Sequence, residues 1–432
     1  MIGRVFVYGL WHLGPVTAAC CATQFETLVH DPDPAVRDAL RAGRPPVAEP
    51  GLAELLVEGR RRGRLRVVDD LGDAETCDVV WITFDTPLDA AGAADAPWLS
   101  SRLDPLIAHL APGTLVVVSS QVPLGFTRMA AAAARGARSD AGLRFACVPE
   151  NLRLGSAVEG FTRAYAPAGT GDGASDDVLA ELLAPWVETV DWMRLESAEL
   201  AKHATNAFLA TTVALTNELA RVGERAGADA TAIERVLRAD PRVGPRAYVR
   251  AGEPFEGATL QRDVATLVGL GSASGVAMPL LDGVLASNEL HRQWARDALE
   301  SLLDGVRGRI VTVLGMAAKV DTDSLRGSAG AELARWLVRG GATVRAVDPA
   351  VAALPDDLSG EVELLADTLR GVDGADAAVV ATPWPHFAEL DPDRLTATMR
   401  RPVIVDPGGF LEPSLGHDPR LRYIRVGRPT PP

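Results

Sequence analysis

The sequence predicts an α/β protein in which two doubly wound, parallel-sheet domains are joined by a long central helix and a small helical domain. Short apolar, β-branched runs alternate with helical patterns in the first third of the chain. A long Ala- and Leu-rich stretch follows, and the alternation of strands and helices returns in the last third. These observations predict domains at residues 1–190, 191–300 and 301–432.

The first predicted domain contains several apolar runs of strand length, bounded by Gly, Pro or Asp. Such runs are typical of strands that are buried on both faces of a parallel sheet, and the segments between them have helix length. The predicted strands are Val5 to Tyr8, Thr27 to His30, Asp78 to Thr83, Leu115 to Ser120 and Phe145 to Val148.

The central part of the chain has a different pattern. Ser197 to Ala226 contains no proline and a single glycine, Gly223, which predicts one long helix in a mostly helical section that ends near Gly305. Strand-like runs then return and predict a second, smaller α/β domain. These strands are Arg309 to Leu314, Thr343 to Val347, Ala377 to Ala381, Val403 to Val405 and Tyr423 to Val426.

Composition excludes several classes of protein. The 432 residues are 47% hydrophobic and 23% charged, which is ordinary for a globular chain. The net charge of −14 argues against attachment to nucleic acid or anionic lipid through the overall field. The four cysteines are too scattered for a disulfide framework, and no apolar stretch reaches the roughly 18 residues that span a bilayer. We therefore expect a cytoplasmic protein that binds neither nucleic acid nor membrane.

A glycine-containing turn follows the first predicted strand. The strand ends in Gly9-Leu10-Trp11-His12-Leu13-Gly14, directly before a helical pattern, and the second strand ends at Asp31. This is the layout of a Rossmann-like dinucleotide fold, in which glycines admit the pyrophosphate and an acid accepts the ribose hydroxyls. We predict NAD as the cofactor, although Trp11 replaces the middle glycine and a Rossmann-like domain without a cofactor is the alternative. The predicted cofactor-binding residues in this region are Gly9, Trp11, His12, Leu13, Gly14 and Asp31.

Polar residues on the predicted long helix could carry chemistry. Glu199, Lys202 and Asn206 lie at positions i, i+3 and i+7 and share one face. A Lys and an Asn one turn apart can hold a substrate hydroxyl and relay its proton, although such a triplet is also typical of a solvated surface. Glu150 favours the functional interpretation because it directly follows the fifth strand, where doubly wound folds place their ligands. The histidines lack the spacing of metal ligands, so we predict no metal site.

The chain resembles the UDP-glucose/GDP-mannose dehydrogenase family along nearly its whole length. The matching segments in the first half are Glu49-Pro50-Gly51-Leu52, Thr86-Pro87, Ser120-Gln121-Val122-Pro123, Pro149 to Gly155, Ala198 to Lys202, Asn206 to Ala210 and Asn217-Glu218. Those in the second half are Asp240 to Gly244, Leu314-Gly315, Lys319, Thr322-Asp323, Leu325-Arg326, Ser328 and Asp348-Pro349.

The resemblance implies an architecture and a reaction. It implies an N-terminal NAD domain, a central helical region that forms a homodimer, and a C-terminal domain that helps to bind the nucleotide of a nucleotide-sugar substrate. Members of the family oxidise the C6 alcohol of the hexose to a carboxylate in two NAD-dependent steps. The aldehyde is captured by an active-site cysteine as a thiohemiacetal, which is oxidised to a thioester and then hydrolysed.

The resemblance also implies residue roles, and it shows departures. The family's catalytic lysine, asparagine, glutamate and aspartate correspond to Lys202, Asn206, Glu150 and Asp263, whereas Thr259 stands where the cysteine is expected. Gln121 replaces a threonine, and Leu154 replaces a second acid. The implied cofactor contacts add Thr86 and Gln121, and the implied substrate contacts are Leu152, Arg153, Phe255, Gly257 and Arg326.

The threonine changes the expected outcome of the reaction. A hydroxyl has almost no population of its anion at neutral pH, so Thr259 cannot form the thioester. We therefore expect an NAD-dependent oxidation of a nucleotide-activated hexose such as UDP-glucose with an altered product, either the C6 aldehyde or an acid formed through a bound aldehyde hydrate. Two alternatives stay open. They are an epimerase that retains its NAD, and a non-catalytic protein that binds nucleotide sugars.

Overall fold

The computed structural model describes residues 2–87, 94–150, 152–255, 259–320, 322–325 and 327–429. The chain divides into two compact units, Met1–Thr205 and Asn206–Pro432. Among the residues described, no helix has both the length and the apolar character needed to cross a membrane.

The first unit is built on an eight-stranded sheet in the order β3-β2-β1-β4-β5-β6-β7-β8. Its strands are β1 (Arg4–Tyr8), β2 (Glu26–His30), β3 (Leu65–Val67), β4 (Val79–Ile82), β5 (Leu115–Val118), β6 (Arg144–Cys147), β7 (Arg163–Thr170) and β8 (Val187–Arg194). Its helices are α1 (Leu13–Cys21), α2 (Pro34–Arg41), α3 (Leu52–Arg61), α4 (Ala96–Ile107), α5 (Phe126–Ala137), α6 (Ala157–Phe161) and α7 (Asp177–Leu183).

The predicted strands of the first domain are confirmed as β1, β2, β4, β5 and β6, with ends that differ by one or two residues. The sheet differs from the predicted parallel sheet because β3, β7 and β8 are additional to the predicted strands, and because β7 pairs with β6 in the antiparallel direction. β7 and β8 pair in parallel with each other at the edge of the sheet. Their exposed and buried residues are mixed, so they lack the continuous apolar run that marks the inner strands.

The long helix α8 (Leu195–Ala226) begins two residues before the predicted start and ends where predicted. It passes from the first unit into the second. Because Ala and Leu dominate the segment and proline is absent, nothing in the local sequence interrupts its backbone hydrogen bonds.

The second unit contains further helices and a six-stranded sheet in the order β11-β10-β9-β12-β13-β14. The sheet's neighbouring strands pair in parallel. The strands are β9 (Ile310–Leu314), β10 (Thr343–Val347), β11 (Val362–Leu365), β12 (Ala377–Val380), β13 (Val403–Val405) and β14 (Arg422–Ile424). The helices are α9 (Ala230–Ala239), α10 (Leu260–Ala273), α11 (Pro279–His291), α12 (Trp294–Leu303), α13 (Ala329–Arg339), α14 (Thr368–Val372), α15 (Pro392–Thr398) and α16 (Glu412–Leu415).

Both sheets have the strand order of a doubly wound fold, so the predicted fold class is confirmed. In the first unit, β1 lies between β2 and β4 and its side chains are almost completely buried. The chain order reverses at this point, and doubly wound folds bind ligands where it does so, beyond the carboxyl ends of the strands. The turns that follow β1, β4, β5 and β6 are therefore the place to look for a site.

Candidate active site

The turn between β1 and α1 requires its two glycines. Gly9 has a φ of +99°, and a Cβ built on it would lie 2.7 Å from the ring of Phe84. A Cβ on Gly14 would lie 1.9 Å from the carbonyl oxygen of Gly9. The turn therefore brings the start of α1 against the end of β1. In a dinucleotide fold this close approach exposes the first N–H groups of the helix to a pyrophosphate.

Trp11 and His12 fill the middle of this turn. The Trp11 side chain is 52% exposed, so its indole lies largely in solvent instead of filling the core. His12 precedes α1, and its Nε2 atom lies 2.8 Å from Oε1 of Glu49. Leu13 is the first residue of α1, whose first turn carries no acidic residue that would repel an anion.

Asp31 lies at the end of β2, beside the same turn. Its Oδ2 atom accepts a hydrogen bond from the backbone N–H of Leu10 at 2.7 Å, and its Oδ1 atom accepts one from Asp33 at 2.9 Å. Each carboxylate oxygen can accept more than one hydrogen bond. Asp31 therefore braces the turn and keeps acceptor capacity of the kind that ribose hydroxyls require.

Two buried hydroxyls in the first unit test whether the site fits NAD. Thr86 lies just beyond β4 and Ser120 just beyond β5, and within the described residues the hydroxyl of neither finds a hydrogen-bond partner. A buried hydroxyl without a partner is costly, and a polar ligand at the carboxyl ends of these strands would remove that cost. Together with the glycine turn and Asp31, these residues fit a dinucleotide. Gln121 follows Ser120 directly in the chain.

Lys202 and Glu150 meet in the first unit, but through the backbone of Glu150. The Lys202 ammonium donates a hydrogen bond to the carbonyl oxygen of Glu150 at 2.5 Å. The carboxylate of Glu150 instead accepts two hydrogen bonds from the guanidinium of Arg163, at 2.5 and 2.8 Å. The side chain of Glu150 is only 4% exposed. Sequence reasoning did not identify Arg163, because it lies thirteen residues further along the chain, at the start of β7, in a segment without a motif.

Glu199 does not share a chemical role with its helical neighbours. Its carboxylate accepts hydrogen bonds from the backbone N–H groups of Gly125 and Thr127, at the start of α5. His203, on the same helix, lies with Nε2 at 3.1 Å from the carbonyl oxygen of Val122. Glu199 is therefore the cap of another helix, which the spacing along α8 could not reveal.

Asn206 and Asp263 form a pair inside the second unit. The Asn206 side-chain amide donates a hydrogen bond to the Asp263 carboxylate, which is completely buried. The guanidinium of Arg262 lies 3.8 Å from the other carboxylate oxygen. Thr259 is the N-cap residue of α10, is exposed, and makes no capping hydrogen bond through its side chain. Thr259 and Asp263 thus lie at the N-cap and in the first turn of the same helix.

The structure describes three of the five predicted substrate-contact residues. Leu152 is partly buried and Arg153 is exposed, in the loop that leads to α6. Phe255 is buried, and its backbone N–H and carbonyl both pair with the side-chain amide of Asn288, at 2.9 Å each. Gly257 and Arg326 lie outside the described residues.

The cysteines of the chain lie in environments that disfavour the thiolate. Cys20, Cys21, Cys77 and Cys147 are all buried in the first unit. Burial raises the pKa of Cys20 to about 12 and that of Cys77 to about 11. Burial also raises the pKa of Cys21 and Cys147. A reactive cysteine needs the opposite environment, accessible and electropositive.

Comparisons with known proteins agree with this architecture. Residues 3–187, 196–290 and 312–413 match the NAD binding domain, central domain and UDP binding domain of the UDP-glucose/GDP-mannose dehydrogenase family. The chain is 32% identical to a UDP-glucose 6-dehydrogenase of Pseudomonas aeruginosa, over 99% of this chain and 98% of that protein. It is 29% identical to the UDP-glucose 6-dehydrogenase TuaD of Bacillus subtilis, over 99% of this chain and 94% of that protein.

A solved structure gives the same result. The UDP-glucose dehydrogenase from Pyrobaculum islandicum superposes with a TM-score of 0.87 at 30% identity, over 99% of this chain and 98% of that one. The cofactor is NAD, as the glycine turn and the matching domain indicate. The chain therefore belongs to the UDP-glucose/GDP-mannose dehydrogenase family and is an NAD-dependent oxidoreductase that acts on a CH–OH group of nucleotide sugars.

Proposed function

We propose that this protein oxidises the C6 alcohol of a UDP-glucose-like nucleotide hexose by two electrons and releases the C6 aldehyde. The observation that carries the proposal is that all four cysteines are buried and their thiol pKa values are raised, while Thr259 occupies the expected cysteine position. Without an accessible thiolate, no thiohemiacetal or thioester forms. The balanced reaction is R–CH₂OH + NAD⁺ → R–CHO + NADH + H⁺.

The cofactor site in this proposal consists of Gly9, Trp11, His12, Leu13, Gly14, Asp31, Thr86 and Gln121. The start of α1 holds the pyrophosphate, and Asp31 accepts hydrogen bonds from the adenosine ribose. Bound NAD supplies the acceptor for the hydride that leaves C6. An aspartate at the end of β2 repels a 2′-phosphate, which favours NAD over NADP.

The catalytic part of the proposal assigns four roles. The Lys202 ammonium stabilises the negative charge that develops on the C6 oxygen as the hydride leaves. Asn206 helps to orient that oxygen, and Asp263 fixes the amide of Asn206 through its buried hydrogen bond. Glu150 was expected to assist proton transfer, but Arg163 occupies both of its carboxylate oxygens. Its geometry favours a holding role, in which its carbonyl oxygen orients Lys202.

The substrate part of the proposal retains Leu152, Arg153 and Phe255 as contacts, with Gly257 and Arg326 as the matching family positions. The exposed guanidinium of Arg153 has the charge that a pyrophosphate requires. The proposed domains at 1–190, 191–300 and 301–432 are supported by the separate ranges of the three family matches.

We also propose that the protein is a homodimer. Phe208, Leu215, Leu219 and Val222 form an exposed apolar stripe on α8, with exposures of 67%, 51%, 46% and 66%. Their spacing of seven, four and three residues keeps them on one helical face. A stripe of this kind marks a surface that another helix covers, and a second copy of α8 offers the same stripe.

The proposal is tested by incubating the purified protein with UDP-, GDP- and TDP-hexoses, with and without NAD. NADH absorbance and product mass are then recorded. We expect NADH formation and a product lighter by two hydrogens. A product that has gained one oxygen and lost two hydrogens would show a four-electron oxidation to the acid, and an isomer of unchanged mass would show an epimerase. If no substrate reacts but a nucleotide sugar binds, the protein is a non-catalytic binder.

A further inference from the structure

Glu49 is a buried carboxylate that joins two functional loops of the first unit. It lies between α2 and α3, and its side chain has no exposed surface. Its Oε1 atom accepts hydrogen bonds from Nε2 of His12 at 2.8 Å and from the backbone N–H of Gly155 at 3.0 Å. Its Oε2 atom accepts one from the backbone N–H of Ala157 at 3.1 Å.

The charge of Glu49 depends on these donors. Burial raises the pKa of the carboxyl, but the hydrogen bonds from His12, Ala157 and Gly155 outweigh burial and hold the pKa below its usual value. The group is therefore ionised and can only accept hydrogen bonds, so Nε2 of His12 carries the hydrogen. A buried carboxylate that loses one of its donors is strongly destabilised. All three donors must consequently stay in place together.

The donors come from the two segments to which we assign the two ligands. His12 belongs to the turn between Gly9 and Gly14, which holds the cofactor. Gly155 and Ala157 end the loop that begins at Glu150 and includes Arg153. If the cofactor displaces or fixes His12, the balance of hydrogen bonds on Glu49 changes, and the other two bonds transmit that change to the substrate loop.

We propose that Glu49 is a positioning residue that couples the binding of the dinucleotide to the binding of the nucleotide sugar. The proposal rests on the proposed function, because it needs both ligands in the first unit's two loops. Glu49 touches neither ligand in this scheme. It makes the conformation of one loop depend on the other, and thermodynamic linkage then requires each ligand to change the affinity of the other by the same factor.

The test uses NADH and UDP-glucose, a pair that cannot react because no oxidant is present. The Kd of NADH is measured by calorimetry with and without saturating UDP-glucose, and the ratio of the two values is the coupling factor. We expect a factor of about five or more in the wild type. In Glu49→Gln the factor should fall to within about twofold of one, because the neutral amide cannot satisfy all three donors.

Three further variants make the result specific. His12→Phe removes one donor but keeps the carboxylate, so it tests the same link if Glu49→Gln folds poorly, and it should also abolish coupling. His12→Gln keeps a side-chain N–H that can donate to Glu49, so this variant should preserve the coupling. Asp176→Asn is the matched control, because Asp176 caps α7 and pairs with Arg144, away from both loops; its coupling factor should equal that of the wild type.

The outcomes separate the two proposals. If both ligands bind but the wild type shows no coupling, or if Glu49→Gln and His12→Phe retain it, the role of Glu49 is refuted while the proposed function stands. If the wild type binds neither NADH nor UDP-glucose, the proposed function fails, and the role of Glu49 fails with it.

Discussion

Arg163 changes the role expected of Glu150. A carboxylate that acts as a base needs an oxygen directed at the substrate, whereas both oxygens of Glu150 face the guanidinium of Arg163. The pair is nearly buried on the glutamate side and bidentate, which is the strong form of this interaction. The contact that reaches Lys202 comes from the backbone. Glu150 and Arg163 together therefore hold Lys202 in position, and we call this pair the clamp.

The clamp predicts that Arg163→Met strongly lowers the stability of the fold. It also predicts that Glu150→Gln lowers the catalytic rate only slightly. Removing one partner of a buried ion pair leaves an uncompensated charge, so the free energy of unfolding in urea should fall by about 3 kcal/mol in Arg163→Met. The double variant Arg163→Met/Glu150→Gln should recover part of this loss. Glu150→Gln should lower kcat by less than about tenfold, since a lost general base costs on the order of a hundredfold or more. A larger loss, with unchanged folding, would restore Glu150 as a proton acceptor.

Thr259 predicts that a single thiol does not restore the family reaction. Thr259→Cys places a thiol at the N-cap of α10, where the helix N-terminus favours the thiolate. Iodoacetamide should therefore label the variant, in contrast to the wild type, whose cysteines are buried. Acid should still not form, because Gln121 and Leu154 have also replaced the expected threonine and acid. If Thr259→Cys reacts with iodoacetamide and also converts the substrate completely to the acid, this prediction is refuted.

The two doubly wound sheets contain the same turn, and the difference between the turns explains which one holds the dinucleotide. Gly315 has a φ of +95°, close to that of Gly9, and each turn is followed by an aspartate at the end of the next strand. The carboxylate of Asp348 accepts four backbone N–H groups and the indole N–H of Trp384. Asp31 accepts two backbone N–H groups. Only the first turn keeps an acceptor of the kind that a ribose needs.

The packing of α1 on β1 predicts that Gly14→Ala abolishes cofactor binding. The new Cβ would overlap the carbonyl oxygen of Gly9, so the helix must move, and the free energy of unfolding should fall by about 3 kcal/mol or more. Gly136→Ala is the matched control in α5, because a Cβ there meets nothing within 4 Å. It should raise stability by about 0.5–1 kcal/mol and leave the Kd of NADH unchanged. Wild-type NADH affinity in Gly14→Ala would contradict the assigned turn.

The apolar stripe on α8 predicts that Val222→Lys dissociates the dimer. Placing an ammonium on the stripe adds a desolvation cost to each subunit, and the two-fold symmetry of a dimer doubles it. Light scattering coupled to size exclusion should show the mass change from a dimer to a monomer of 45.5 kDa. Val57→Lys is the control, since Val57 is similarly exposed but lies on α3. An unchanged dimer in Val222→Lys would place the interface elsewhere.

At the scale of the molecule, the sequence predicts the strands of both sheets except β3, β7, β8 and β11. The strands β4 and β5 are apolar throughout, and β1 is apolar after Arg4, because both faces of these strands are buried, so their composition alone identifies them. β3 has only three residues, and of these only Leu65 is buried. β11 likewise has one buried residue, Val362. The positions of β7 and β8 in the sheet, and the reversal of direction between β6 and β7, depend on contacts between segments that are distant in the chain.

The candidate site could be predicted in part for a similar reason. The spacing on one helix and the family resemblance together predict Lys202 and Asn206, and the resemblance predicts Asp263. Glu49 and Arg163 act through partners that are far away in the chain, so neither spacing nor composition reveals what they hold. Their roles require coordinates.

The central claim is that the missing thiol stops the oxidation after two electrons. It is tested most directly by the ratio of NADH formed to nucleotide sugar consumed, measured with excess NAD until the substrate is exhausted. An oxidation that ends at the aldehyde gives one NADH per sugar, and we predict this value. A ratio of two would show that the protein completes the four-electron reaction without a cysteine and would contradict the account.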